Sequence, residues 1–244
     1  DAARARGCDL LLSHVAPSSY EDLANAMSTS RSDGAIFLGQ SSLHDAFNRL
    51  AETEQRFVVW GAQMRDQDYC SVGSDNVQGG RRATEHLARL GRQRIMFLGD
   101  TDAPEAMRRY RGYREAVAKV GLRYDDALIV PAHFEVESAR AAVHSAIDAG
   151  LSFDGVVAAS DLIALGALQA LRETGRVVPR DVSVIGYDNV PFGAYSHPTL
   201  TTIDQDTARA GRILVAKLLD ASGKPGPDAD RMPAELIVRQ SCGA

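Results

Sequence analysis

Residues able to do chemistry are plentiful in this sequence but poorly grouped. His14, His44, His86, His133, His144 and His197 are scattered, and none has a second His or Cys three or four positions on that would face a common metal. The acidic pairs Asp125-Asp126 and Asp228/Asp230 sit in turn-like stretches without an adjacent base or apolar pocket, so they read as turn residues rather than acid–base partners. Ser222-Gly223-Lys224-Pro225-Gly226 has the look of a phosphate loop, yet it follows a helical stretch and places Pro where amide donors are needed. No GxSxG elbow, GxxxxGK[ST], HExxH, post-strand GxGxxG or CxxC is present. What remains is recognition chemistry. The planar fork of Arg109 could clamp two hydroxyls or a carboxylate, although composition alone reads it as a solvated helix arginine. Asp188 closes an apolar run and could accept protons or form an Asx turn with Asn189. Ser160 and Asp161 stand where a strand gives way to a helix, and either could cap it.

The elements that must position these groups alternate. Short β-favouring apolar runs are separated by stretches of helical period, the pattern of a parallel sheet covered by helices on both faces. Strands are expected at Asp9–Ser13, Gly34–Leu38, Phe57–Trp60 and Arg94–Leu98, with helices near Tyr20–Ser28, Leu43–Thr53 and Gly79–Leu90 between them. A second series follows the turn-rich segment 99–104: helix Glu105–Val120, strand Ala127–Val130, helix Val136–Ala149, strand Gly155–Ala159, helix Asp161–Thr174 and strand Val182–Tyr187. The chain thus has two similar halves. Thr199–Ile203, a helix at Thr207–Asp220, a Gly/Pro/Asp-rich loop at 221–230 and a strand at Glu235–Arg239 complete it. One helix and two short strands cannot bury a core of their own, so these must pack back onto the halves.

Composition limits the partners. The 244 residues are 45% hydrophobic and 24% charged, with no apolar run near the roughly 18 residues of a membrane span. A formal net charge of −5 leaves no field to attract a polyanion, so this stretch by itself is expected to bind DNA poorly. Cys8, Cys70 and Cys242 lie far apart and lack metal or redox spacing, which suits a reducing cytoplasm.

Four ordered segments carry a resemblance. Residues 71–91 (SVGSDNVQGGRRATEHLARLG) running into 94–99 (RIMFLG), then 109–113 (RYRGY), then 178–189 (VPRDVSVIGYDN) with 198–205 (PTLTTIDQ), and the closing 235–241 (ELIVRQS), are similar in sequence and order to the LacI/GalR family of bacterial transcription regulators. The resemblance implies an α/β fold of two doubly wound parallel-sheet lobes of the type I periplasmic-binding-protein kind, joined by three crossovers, with a small ligand in the cleft between them. The lobes are expected at 1–100 plus 205–230 and at 101–204 plus 231–244. Members of the family open with a helix-turn-helix headpiece, a hinge helix and a first central strand, none of which is seen here; the sequence is read as an effector-binding core truncated at its start.

By the same resemblance the ligand-binding candidates are Arg109, Asp188, Ser160 (where many relatives carry Asn), Asp161, Phe134, Gln78 and Gln205. Phe134 would stack on a sugar C–H face or staple a helix entry. Gln78, with Asp75 and Asn76, would reach from the first lobe, one of the three capping a helix. Gln205 falls at a crossover. Trp60 could line the cleft or fill a core. Ala103 stands where purine-responsive relatives carry arginine, which argues for a sugar or sugar derivative over a nucleobase. The implied protein is a cytoplasmic homodimeric repressor that reaches operator DNA through its headpiece, with no cofactor, no metal, no membrane contact and no catalysis. Effector binding would close the lobes and alter the dimer surface. A sugar-binding protein of a transport system is the alternative; an enzyme on a similar fold lacks any defensible nucleophile, base or cofactor motif.

Overall fold

Alternation along the strands decides how the layers form. In the computed structural model, which describes residues 2–13, 17–29, 32–39, 41–54, 56–220 and 229–244, the chain enters through helix α1 (Ala2–Ala5) and α2 (Tyr20–Thr29). Strand β1 (Ala35–Leu38), helix α3 (His44–Thr53), β2 (Phe57–Trp60) and β3 (Ser71–Ser74) follow. Successive side chains of a strand point to opposite faces. Phe57 and Val59 therefore join Leu23, Phe37, Phe47, Leu50 and Tyr69 on one side of the sheet. Val58 turns to the other side and packs with Cys70, Val72, Ala210, Leu214 and Met232. Trp60 packs against this second cluster.

The second sheet is built from α4 (Asn76–Arg89), β4 (Ile95–Leu98), α5 (Pro104–Lys119), β5 (Ile129–Val130), α6 (Val136–Asp148), β6 (Gly155–Ala158), α7 (Asp161–Glu173), β7 (Ser183–Asp188) and β8 (Thr201–Asp204). Helix α8 (Thr207–Asp220) and β9 (Ala229–Met232) return to the first sheet, and β10 (Glu235–Ile237) to the second. The first sheet runs β1-β2-β3-β9, all parallel. The second runs β10-β8-β7-β6-β4-β5, parallel except for β10, which pairs antiparallel with β8. Neighbouring residues of β7 show the double cover. A Cβ on Gly186 would meet Asp161 and Ala164 of α7, whereas the Tyr187 ring lies against Gly79 of α4.

Two units result: residues 1–74 with 206–232, and 75–205 with 233–244, so the chain passes between them three times. Residues 75–100, expected in the first lobe, belong to the second unit because β4 pairs with β5 and β6 and α4 packs along α5. Residues 9–13, expected as a strand, form none. They pair with no strand among the described residues, and Leu10, Leu11 and Leu12 are exposed; an apolar run becomes a strand only when a neighbour takes its amides and carbonyls. Strands β3 and β9 carry too little apolar pattern to be foreseen and exist through pairing with each other and with β2. Of the expected loop 221–230, residues 221–228 lie outside those described, as does the Ser222–Gly226 segment.

Candidate functional site

Helix α5 buries Ala106, Arg109, Gly112, Tyr113, Ala116 and Val117, a three–four spacing that puts a charged residue on the inward stripe. Arg111 lies off that stripe, exposed, and pairs with Glu115 at 3.0 Å. The Arg109 side chain is 5% exposed. Its Nε donates to Asn76 Oδ1 at 2.7 Å, and Nη1 donates to the Ala159 carbonyl. The guanidinium carbon lies 3.7 Å from the centroid of the Tyr187 ring, a cation–π stack. Two glycines opening α4 allow this closeness. A Cβ on Gly80 would stand 2.0 Å from the Arg109 carbonyl oxygen, and one on Gly79 2.5 Å from the Tyr187 ring.

Asp188, the last residue of β7, faces that fork. Its Oδ1 lies 3.6 Å from Arg109 Nη1 and accepts from Gln205 Nε2 at 2.6 Å. Although 28% of its side chain is open, burial among protein atoms pushes the carboxyl above the usual carboxylate range. The Arg109 charge, the Gln205 amide and the backbone N–H of Asp161 each offset this. Ala159, Asp188 and Gln205 follow or end β6, β7 and β8, three adjacent parallel strands, so the cluster occupies the carboxyl edge of the second sheet. Ligands of open α/β sheets sit there, where strand ends and helix N-termini present polar groups. One cation and one carboxylate balance, and Arg109 Nη2 has no hydrogen bond among the described residues. A neutral polyhydroxylated ligand matches such a pair, giving hydroxyl protons to the carboxylate and accepting from the guanidinium.

The other expected residues fall as follows. Ser160 caps α7, its Oγ accepting from the Ile163 amide at 3.2 Å, and is almost fully buried. Asp161 is 0% exposed, with both carboxylate oxygens engaged by protein: Oδ1 by the Thr202 hydroxyl at 2.6 Å and Oδ2 by the Val190 amide at 2.8 Å. Its burial therefore stands against the direct contact expected of it. Phe134, 38% exposed, follows β5 and so lies on the same sheet edge, at its far end. Asp75, Asn76 and Gln78 lie in the second unit rather than the first. Asp75 caps α4, Asn76 receives Arg109, and Gln78 Oε1 accepts from the Ala234 amide at 3.4 Å. Gln205 is the last residue of its segment of the second unit. Tyr187, Thr202 and Arg239 were not foreseen; the motifs GYDN and TTIDQ and the closing ELIVRQS contain them, but nothing in spacing tells which members meet.

Residues 84–242 match the periplasmic binding protein-like domain. The chain belongs to the LacI/GalR family. Among its relatives is the HTH-type transcriptional regulator CelR of Thermobifida fusca, 33% identical over 230 residues, covering 91% of this chain and 67% of CelR. A solved CelR–cellobiose complex is 30% identical, with a TM-score of 0.76, covering 91% of this chain and 69% of the other. A LacI-family regulator from Enterococcus faecium, solved with bound ribose, is 27% identical with a TM-score of 0.84 and covers 98% and 89% of the two chains. The chain spans about two thirds of the length of the curated relatives it matches, 67% and 64% for the first two. As a LacI/GalR effector-binding core it has the expected α/β architecture of parallel sheets.

Proposed function

We propose that this LacI/GalR core senses a neutral sugar held at the carboxyl edge of the second sheet, and that the whole protein is a DNA-binding repressor whose operator affinity the sugar sets. The carrying observation is the Asp188–Arg109 pair, 3.6 Å apart and oriented by Gln205, Asn76 and Tyr187. Asp188 and Arg109 contact ligand hydroxyls, Gln205 orients Asp188, and Phe134 offers a ring to the sugar's C–H face. Ser160, Gln78 and Asp161 support the site from within the fold. Two relatives solved with cellobiose and with ribose support a saccharide. The names of the relatives as transcriptional regulators favour this reading over a transport protein or an enzyme.

DNA is reached through a helix-turn-helix headpiece, since a net charge of −5 gives this core no attraction for a polyanion. The repressor works as a homodimer in the cytoplasm, its two headpieces meeting two half-sites. The sugar acts by binding two states of the regulator unequally and shifting their populations. Thermal-shift and calorimetric titration with cellobiose, ribose, other sugars, nucleobases and amino acids tests this. A saccharide at 100 times its Kd raises stability by about 2.7 kcal/mol, and Asp188→Ala abolishes the response. A response to nucleobases or amino acids alone would overturn the sugar assignment.

A further inference from the structure

The backbone that presents Asp188 is strained. Asp188 has φ of 114° and Asn189 φ of 55°, two consecutive non-glycine residues in the left-handed half of conformational space. Such conformations persist only where the surroundings over-determine them. Those surroundings converge on one buried group. Asp161 Oδ2 accepts from the amide of Val190, the residue after the strained pair, at 2.8 Å. Asp161 Oδ1 accepts from the Thr202 hydroxyl at 2.6 Å, and Thr202 Oγ1 in turn accepts from the Asn189 amide at 3.2 Å. From the other side Arg239 donates to Asn189 Oδ1 at 2.7 Å and to the Leu200 carbonyl at 2.6 Å. The strand makes room for this contact: a Cβ on Gly186 would stand 2.1 Å from Asp161 Oδ1.

We propose that Asp161 is a positioning residue of the effector site, whose buried carboxyl group, through Val190 and Thr202, holds Asp188 and Asn189 in the backbone conformation that presents Asp188 to the ligand. The effector half of this assignment rests on Asp188 being a ligand contact. The carboxyl group, rather than its charge, does the holding. Burial raises Asp161 to about 7, with the hydrogen bonds from Thr202 and Val190 offsetting part of the rise, the facing Asp188 adding to it and Arg239 opposing it. Near neutral pH both protonation states are therefore populated. In either state one oxygen accepts from Val190; the protonated form donates to Thr202 Oγ1 where the ionised form accepts. An asparagine reproduces the protonated pattern, and an alanine reproduces neither.

Hydrogen–deuterium exchange of the whole chain decides the positioning role without any ligand. Asp161→Ala should speed exchange at least tenfold in peptides spanning 186–192 while peptides of β2 and β3 keep wild-type rates, and Asp161→Asn should nowhere exchange more than about twofold faster than wild type. Thr202→Val, which keeps the side-chain shape, should raise exchange in the same segment; it stands in if the alanine variant fails to fold. Unchanged exchange at 186–192 in Asp161→Ala, or in Thr202→Val where that variant stands in, overturns the proposal; so does an asparagine variant as loose as the alanine. Titration with cellobiose and ribose on the same proteins then reads the effector link: the sugar that binds wild type should bind Asp161→Ala at least tenfold more weakly and Asp161→Asn nearly as well. If neither sugar binds wild type, cellobiose and ribose are excluded as effectors while the exchange data still settle Asp161.

Discussion

The guanidinium of Arg109, from helix α5, lies on the ring of Tyr187, from strand β7, 3.7 Å from centroid to carbon. This stack fixes the plane of the fork. With Asn76 and Ala159 taking Nε and Nη1, little freedom is left, so Arg109 meets a ligand preorganised.

Replacing Arg109 by lysine keeps the charge but loses the fork and the stack. The protein should fold, lose roughly 1–3 kcal/mol of stability as the fork's bonds to Asn76 and Ala159 are lost, and bind its effector at least tenfold more weakly. Urea denaturation and calorimetry check both.

Gly79→Ala sets a methyl 2.5 Å from the Tyr187 ring, which must move and drag the stack with it. Overpacking of this kind costs about 1–3 kcal/mol. A weaker sugar response should accompany the lower midpoint of unfolding, whereas an alanine at Gly211, inside α8 where a Cβ meets nothing within 4 Å, should leave the response unchanged and raise the midpoint slightly.

Asp161 gives a pH signature. Its folded value of about 7 is above the ordinary 3.8, with burial the main cause, so the folded state binds more protons between those values and loses stability as pH rises through that window. Asp161→Asn removes the cost of burying a charge. The variant should gain on the order of 3 kcal/mol over wild type at pH 8 and much less at pH 5, measured by urea denaturation across that range. An equal gain at both pH values would show that the carboxyl does not titrate there.

Ser241 ties the closing segment to the sheet. Its Oγ donates to the Val184 carbonyl at 2.6 Å and accepts from the Thr201 amide at 2.8 Å, all in a fully buried place. Ser241→Ala orphans both groups and should cost about 1–3 kcal/mol, seen as a lower midpoint and faster exchange at Thr201.

Much of the fold could be read from periodicity. The strands at Phe57–Trp60 and Gly155–Ala158 and the helices at His44–Thr53 and Asp161–Glu173 lie where apolar spacing puts them. Arg109 was legible only through the family motif RYRGY, because by composition it reads as a solvated helix arginine; the structure puts it on the inward stripe of α5 with Gly112, Tyr113 and Ala116. Asp161 was not. Its type and position fit a ligand contact equally well, and only the partner atoms of Val190 and Thr202, far off in sequence, turn it inward.

The sequence by itself determined the family, the parallel α/β class, and which polar residues end strands, because period, strand-end residues and ordered motifs are local properties. Tertiary structure decided which unit owns residues 75–100, which apolar run becomes a strand, and which of the polar residues face outward, because each depends on hydrogen-bond partners distant in sequence.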